Sequence, residues 1–481
     1  MKLIKIIVLC LVCFCLPALA DESKSDAVIL TTQTGVKPTS RINLQRTGVA
    51  LENGDVWVWG YRRQGLQGNG VRNVNHSSEP ARVRKFVQEG LSIIQVAAGR
   101  YHIIALDENG DVWGWGRNRH RQAAGGVIEE NYVDTPVKVL SGRKIVDIYC
   151  SDYTSYALTA TGEIWAWGRG NRGELGVGNK VSKQKVQQIP ELRKVRTMGV
   201  GERTAYAIDK DGRIYTWGQA ISRKFCPADK KTCNYILSPE DITGDLKVDD
   251  TGTPDPNDKL ITGGRIKEIT GGKGFVTYLS YTGLVYGYGK IRYLADGKFD
   301  EDDLDEDETL GWDDDDDDAI DRIEDEQDKR DDVEDNRLDP KSITDKPMSI
   351  IGPNSPDIKE SVAYSLYCRY RGCAAITRHK SLLTWGVKGS SKLKGILYGK
   401  KKTGSVVQRK LKGTLTKMDG GRESLFYWNE DGEVYGVGRG STRKFNQSNN
   451  HTQDWDAQRL DFLMNAMHDV YGYDYVLGRT N

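Results

Sequence analysis

Histidines at 76, 102, 120, 379, 451 and 468 and eight cysteines are the first residues to weigh for chemistry. No histidine stands at metal-ligand spacing from another, so no metal site is expected. Five cysteines lie beyond residue 20: Cys150, Cys226, Cys233, Cys368 and Cys373. Neither close pair has C-x-x-C spacing. They predict two local disulfides, Cys226–Cys233 and Cys368–Cys373, in an oxidising compartment. Each should stabilise its loop by roughly 2–3 kcal/mol in the chain-entropy model. Cys150 ends an apolar run from Ile145 and is expected as a buried free thiol. Gly168-Arg169-Gly170-Asn171-Arg172-Gly173 has the G-x-G-x-x-G form of a dinucleotide loop. Such a loop needs a strand before it and a helix after it. Here it reads as the glycine tail of a repeat. No G-x-x-x-x-G-K-[ST] phosphate loop and no G-x-S-x-G elbow occurs. No catalytic residue and no cofactor is therefore assigned, and an enzyme is not expected.

Carboxylates are concentrated in one place. Asp300 to Asp335 holds 23 acidic residues against Arg322, Lys329 and Arg330, with six aspartates in a row at Asp313–Asp318. Such a block self-repels and is expected to stay solvated, as a disordered stretch over 296–340. Clustered oxygens suit Ca²⁺, but the glycine-bearing calcium-loop spacing is missing, so only weak Ca²⁺ binding is expected. Elsewhere the chain has 66 basic and 45 acidic residues, although net charge is +1. A basic body thus carries an acidic segment. A basic surface binds nucleic acid without sequence preference, and no specific nucleic-acid partner is expected.

The ends bound the fold. Lys2, Lys5, the apolar run Ile6–Leu16 and Ala18-Leu19-Ala20 before Asp21 read as a cleaved signal peptide over 1–20. Pro17 interrupts the run, and a spanning helix wants about 20 apolar residues. Export to the periplasm or beyond is expected, with no transmembrane segment. Residues 21–40 form a lead-in. Asn75-His76-Ser77, Asn446-Gln447-Ser448 and Asn450-His451-Thr452 are glycosylation acceptors only in a eukaryotic host.

The elements that must position any site come from an internal repeat. Ala50-Leu51-Glu52-Asn53-Gly54-Asp55-Val56-Trp57-Val58-Trp59-Gly60 recurs in register to Gly116, Gly168, Gly218 and Gly289. Copy six is degenerate, with Lys380 in place of the turn glycine, but Leu383, Trp385 and Gly386 hold. Copy seven ends at Gly438. The closing glycines are 56, 52, 50, 71, 97 and 52 residues apart. Insertions therefore occupy 219–265 and 290–365. Each unit predicts a strand, a tight Asn-Gly-type turn and a second strand alternating Val112 and Gly114 against Trp113 and Trp115. One such hairpin cannot bury its apolar faces alone. Radial stacking would bury them, giving an all-β propeller of seven blades over 41–481. Asp469 to Val476 repeats the segment that precedes each hairpin, so strands from both ends are expected to share a blade. His102 is expected at a hydrogen-bonding position of the repeat that Thr154 and Thr204 fill in the next copies.

The A-L-x-x-x-G-x-V-W-x-W-G string resembles the regulator of chromosome condensation repeat. The glycine tails Gly168, Gly173, Leu175, Gly176, Gly178 and Gly60, Gly65, Leu66, Gly68, Gly70 fit that family, as does Val96-Ala97-Ala98-Gly99-Arg100-Tyr101-His102 before a hairpin. The resemblance implies a seven-bladed propeller. It also implies a partner-binding face where the segment after the pre-hairpin glycine turns over. Carried onto this chain, that face is Arg100, Tyr101, Asp152, Tyr153, Glu202, Arg203, Lys273, Tyr370, Arg371, Arg422, Glu423, Tyr473 and Asp474. The family includes secreted bacterial inhibitors of β-lactamase, similar in compartment and architecture. It also includes a nuclear exchange factor for a small GTPase that binds chromatin. The expected function is a secreted or periplasmic, non-catalytic propeller that binds a protein, as inhibitor, immunity-type protector or adhesion scaffold. A host-directed guanine-nucleotide exchange factor for a small GTPase is the alternative.

Overall fold

The computed structural model describes residues 47–460 apart from 73–76, 229–232, 247–265, 291–343 save Leu294, 345–346, 353–361, 370–371, 387–405, 421–423, 439–457 and five single positions. Repeat one supplies β1 (Thr47–Glu52), β2 (Asp55–Gly60) and β3 (Ser77–Arg82). A short helix α1 (Arg84–Gln88) leads into β4 (Ile93–Ala98), β5 (His102–Asp107), β6 (Val112–Arg117) and β7 (Tyr132–Leu140). The third sheet is β8 (Ile145–Cys150), β9 (Thr154–Thr159), β10 (Ile164–Gly168) and β11 (Gln184–Gln188). Then come β12 (Val195–Val200), β13 (Thr204–Asp209), β14 (Ile214–Gln219) and β15 (Tyr235–Asp241). The fifth is β16 (Ile266–Gly271), β17 (Phe275–Ser280), β18 (Val285–Gly289) and β19 (Met348–Ile351). The last two are β20 (Ala363–Arg369), β21 (Gly372–Thr377), β22 (Leu382–Gly386), β23 (Val407–Arg409) and β24 (Leu415–Gly420), β25 (Ser424–Asn429), β26 (Val434–Gly438), β27 (Gln458–Arg459).

Each sheet is an antiparallel meander, and successive sheets touch through their first strands: β4 meets β8, β8 meets β12, β12 meets β16, β16 meets β20 and β20 meets β24. First strands therefore line the axis and fourth strands lie at the periphery. This is the all-β propeller. The count of seven blades is corrected: six sheets are complete four-stranded blades, and repeat one contributes only three strands. The reason is where repeat one joins its sheet. Its β1 pairs with β2 as the second strand of a blade, and no first strand precedes it among the described residues. The segment 469–476, expected to complete that sheet, lies outside the described residues, as do 1–46 and the acidic stretch 300–335. The 219–265 stretch is not all insertion, since β15 lies within it and forms the outer strand of its blade.

The hairpin turns form as their residues dictate. Gly54, Gly110, Gly162, Gly212 and Gly283 have φ between 80° and 94°, where a Cβ is strained. Lys380 takes the same conformation at φ 57° without being glycine. In the second to seventh sheets a side-chain oxygen ending the second strand fastens the turn. Asp107 accepts from the Asp111 N–H (2.9 Å), Thr159 from Glu163 (3.0 Å) and Asp209 from Arg213 (2.8 Å). Ser280, Thr377 and Asn429 do the same for Leu284, Ser381 and Glu433.

In five of the hairpins a tryptophan directly before the closing glycine builds the seam between blades. Trp59, Trp115, Trp167, Trp217 and Trp385 are fully buried. The Trp115 indole N–H donates to the Leu66 carbonyl (3.0 Å), Trp167 to Gln122 (3.0 Å) and Trp217 to Glu174 (2.9 Å), each in the loop of the preceding repeat. The glycine tail exists to let that loop approach: a Cβ on Gly176 would sit 2.9 Å from the Trp217 ring. The first tryptophans sit differently, although Trp113 joins Trp115 against the Phe86 ring, at 5.9 and 5.8 Å. Trp113 caps its own turn by donating to Asp107 (2.9 Å), and Trp165 lies half-buried under the Arg143 guanidinium at 3.8 Å. Near the axis, Gln95 donates to Asp147 (2.7 Å) and accepts from the Ile148 N–H (3.0 Å).

Both predicted disulfides are formed. Cys368 and Cys373 face each other across β20 and β21. Cys150 is a free, buried thiol, as expected.

Candidate partner-binding face

First and third strands run the same way, so the loops that follow both emerge on one face of the propeller. The loops after β4, β8, β12 and β16 are the same four-residue turn. The N–H of Gly99, Ser151, Gly201 and Gly272 bonds the carbonyl of His102, Thr154, Thr204 and Phe275 at 2.9, 2.9, 2.7 and 3.1 Å. Its third residue is tied to the loop after the third strand. Arg117, Arg169, Gln219 and Lys290, each following a closing glycine, donate their N–H to the carbonyls of Tyr101, Tyr153, Arg203 and Gly274 at 2.7–2.9 Å. The closing glycines, such as Gly116 at φ 99° and Gly168 at φ 111°, allow the chain to turn there.

Seven of the thirteen expected face residues are described. Arg100, Tyr101, Asp152, Tyr153 and Glu202 are buried in the face, at 3–9 % exposure, while Arg203 and Lys273 are half-buried. Tyr370, Arg371, Arg422, Glu423, Tyr473 and Asp474 lie outside the described residues. Arg100, Tyr101 and Tyr153 come together in a cation–π ladder that also takes in two residues the sequence reading passed over, Arg117 and Arg169. The ladder runs from Arg117 over Tyr101 (5.5 Å) to Arg100 over Tyr101 (5.7 Å) and Tyr153 (6.0 Å), then to Arg169 over Tyr153 (5.2 Å). Beside it the Arg100 N–H donates to the Asp152 carbonyl at 2.7 Å, and the His120 ring meets Tyr153 edge-on at 5.8 Å. The ladder fills the seam between the second and third sheets. A basic residue directly after the closing glycine, at Arg117, Arg169, Lys290 and Arg439, was the signal in the sequence.

His102 does not play the part of Thr154 and Thr204. The threonine hydroxyls donate within their own repeats, to the carbonyls of Arg169 (2.9 Å) and Gln219 (3.0 Å). His102 Nε2 instead reaches Ser155 Oγ of the next sheet at 2.9 Å, with Cys150 Sγ at 3.5 Å. The longer imidazole spans a distance the threonine side chain cannot. All three groups are fully buried, which leaves no room for a substrate beside this thiol and imidazole.

The same face carries exposed apolar groups. Val71, Val127 and Val181, 48–59 % exposed, stand in the loops after the third strands of three successive repeats. Farther along, a shallow cleft with room for about one water lies between the fourth and fifth sheets, lined by Glu202, Arg203, Gln219, Lys273, Gly274 and Lys290 among others. Among the described residues no group of three His, Cys, Asp or Glu side chains could hold a metal ion, and no helix is long and apolar enough to cross a membrane.

Family models for the regulator of chromosome condensation (RCC1) repeat match residues 53–106, 109–158 and 161–208, and again 93–122 and 145–174. The chain thus carries RCC1 repeats. It is 35% identical over 131 residues to the RCC1 domain-containing protein RUG3, mitochondrial, of Arabidopsis thaliana, covering 27% of this chain and 28% of that one. It is 31% identical over 150 residues to the ultraviolet-B receptor UVR8 of the same plant, covering 30% and 33%. The matched stretch therefore spans a third or less of these relatives. Among solved structures, Prp20p of Saccharomyces cerevisiae is similar at a TM-score of 0.56, 20% identity and 79% of each chain. Human WBSCR16 is similar at 0.57, 16% identity, 80% of this chain and 85% of that one. These two likenesses concern the fold.

Proposed function

We propose that this protein is an exported, non-catalytic propeller that binds another protein through the face bearing the loops after its first and third strands. The observation that carries the reading is the repetition of exposed valines, Val71, Val127 and Val181, on that face. Isolated exposed valines are ordinary; three in the loops after the third strands of successive repeats form a recurrent apolar surface of the kind partners cover. Export is supported by the two disulfides, since such bonds persist in oxidising compartments. The Prp20p study concerns binding to Gsp1p and histones, so a propeller of this shape can serve as a protein-binding platform. The role here is that of an inhibitor, immunity-type protector or adhesion scaffold.

The test is affinity capture of the tagged chain, residues 21–481, from its native envelope and medium at low and moderate salt. One stoichiometric protein retained at both salts, and lost from a V71D/V127D/V181D variant of unchanged melting temperature, is the expected outcome. Retention of salt-sensitive polyanions alone would sink the reading. Asp21 as the mature N-terminus is the result expected for export, and an intact N-terminus in the producing cell would count against it.

A further inference from the structure

The two disulfides stand in different surroundings. Cys368 and Cys373 are fully buried, paired across β20 and β21 inside the sixth sheet. Cys226 and Cys233 are half-buried and lie in the loop after β14, on the partner-binding face. The chain on either side of this second bond is already held. On one side a single 3₁₀ turn, Arg223–Phe225, is anchored by the buried Phe225 ring, which stacks on Tyr288 of the fifth sheet at 4.8 Å. Ser222 Oγ caps that turn by accepting from the Lys224 N–H at 3.2 Å. On the other side the Ala220 N–H donates to the Asn234 carbonyl at 2.8 Å, and β15 continues the sheet from Tyr235. The bond from Cys226 to Cys233 is therefore a tie across a loop whose two ends the fold fixes by other means. Cutting it leaves the sheets intact.

The tie abuts the docking surface. Tyr235, two residues after Cys233, lies under the Lys180 ammonium at 4.6 Å, and Lys180 precedes Val181, the third exposed valine. The Gly178 N–H donates to the Leu237 carbonyl at 2.9 Å, so the valine-bearing loop leans on the start of β15. Loosening the start of β15 loosens Val181. We propose that Cys226–Cys233 is a redox-labile staple, opened by a dithiol reductant while the chain stays folded, and that its opening weakens partner docking. One thiol of the dithiol, having lost its proton to solvent, attacks a sulfur of the pair. A mixed disulfide forms, and the other cysteine leaves as a thiolate and takes up a proton. The second thiol of the dithiol then displaces the remaining cysteine. The dithiol departs as its own disulfide, two electrons poorer, and the chain keeps two thiols. Access decides the order of reduction. A thiolate reaches a half-buried sulfur directly, but a fully buried one only after its sheet opens. The lability stands on burial, and the effect on docking rests on the protein-binding reading above.

The chain of residues 21–481 is treated with dithiothreitol at neutral pH, quenched at intervals with iodoacetamide and mapped by peptide mass spectrometry. Cys226 and Cys233 should be alkylated at least about tenfold faster than Cys368 and Cys373, with the melting transition of the reduced chain retained. The reduced chain, and C226S/C233S without reductant, should bind the captured partner at least about fivefold more weakly than the oxidised chain, and reoxidation should restore the wild type but not the variant. Alkylation of all four cysteines at one rate, or of any only as the chain unfolds, would overturn the staple. Selective reduction with unchanged partner affinity would overturn the switch. Selective reduction beside a failure to capture any partner removes the protein-docking reading and leaves the staple.

Discussion

Ser155 and Trp167 both donate to the buried Gln122 carbonyl, at 2.9 and 3.0 Å, and the double change S155A/W167F should cost more than its two single changes added. All three residues are fully buried. W167F removes one hydrogen bond, worth about 1 kcal/mol. It also leaves a void where the larger ring stood, for about 1 kcal/mol more. S155A should cost about 1–2 kcal/mol, because His102 Nε2 loses its 2.9 Å partner as well. Each single variant leaves the carbonyl one of these two donors. The double variant removes both and adds the penalty of a buried acceptor, about 1–2 kcal/mol. The His102 contribution is common to both arms of the cycle and cancels. Urea unfolding of the four proteins at constant m-value gives the coupling. Additivity within about 0.3 kcal/mol would refute the claim that this carbonyl ties the second and third sheets together.

K380G should stabilise the chain by about 1 kcal/mol in urea, because lysine there holds a left-handed conformation at φ 57°. The exposed ion pair to Glu430 that it gives up is worth little. Thiol titration of the mature chain should find none accessible when native and one, Cys150, when denatured without reductant; more than one would contradict the disulfides. C368A/C373A should lower stability by about 2 kcal/mol, read as a shift in urea midpoint. Partial burial raises the Asp245 carboxyl above its ordinary range, against the pull of Lys224. Its folded state thus binds the proton more tightly than its unfolded state. The stability this group contributes should fall as pH rises through the carboxylate range, and D245N should raise the melting temperature at pH 7 but not at pH 3.

The propeller was legible in the sequence because its hairpins share one local chemistry. The turn glycines, the second tryptophans and the closing glycines each solve the same steric problem in successive repeats. Other regularities were present in the letters but need the fold to be understood. Asp107, Thr159, Asp209, Ser280, Thr377 and Asn429 share no residue type, yet each offers one oxygen to the same turn N–H. Pro80, Pro136 and Pro239 all fall in outer strands, where a missing N–H faces no neighbour and an open edge is blunted.

The site was less legible for a different reason. A resemblance identifies which loop turns over on the face but not how deeply each side chain sits. Arg100, Tyr101 and Tyr153 were read as projecting contacts, and the ladder with Arg117 and Arg169 draws them into the seam.

The most direct measurement is the affinity of the captured partner for two variants of equal melting temperature. One is V71D/V127D/V181D on the loop face. The other is I94D/V146D, at exposed apolar positions near the opposite end of the first strands. Docking on the loop face predicts at least a tenfold loss, about 1.4 kcal/mol, for the first and no change for the second. A loss confined to I94D/V146D would place the partner on the other face and contradict the account.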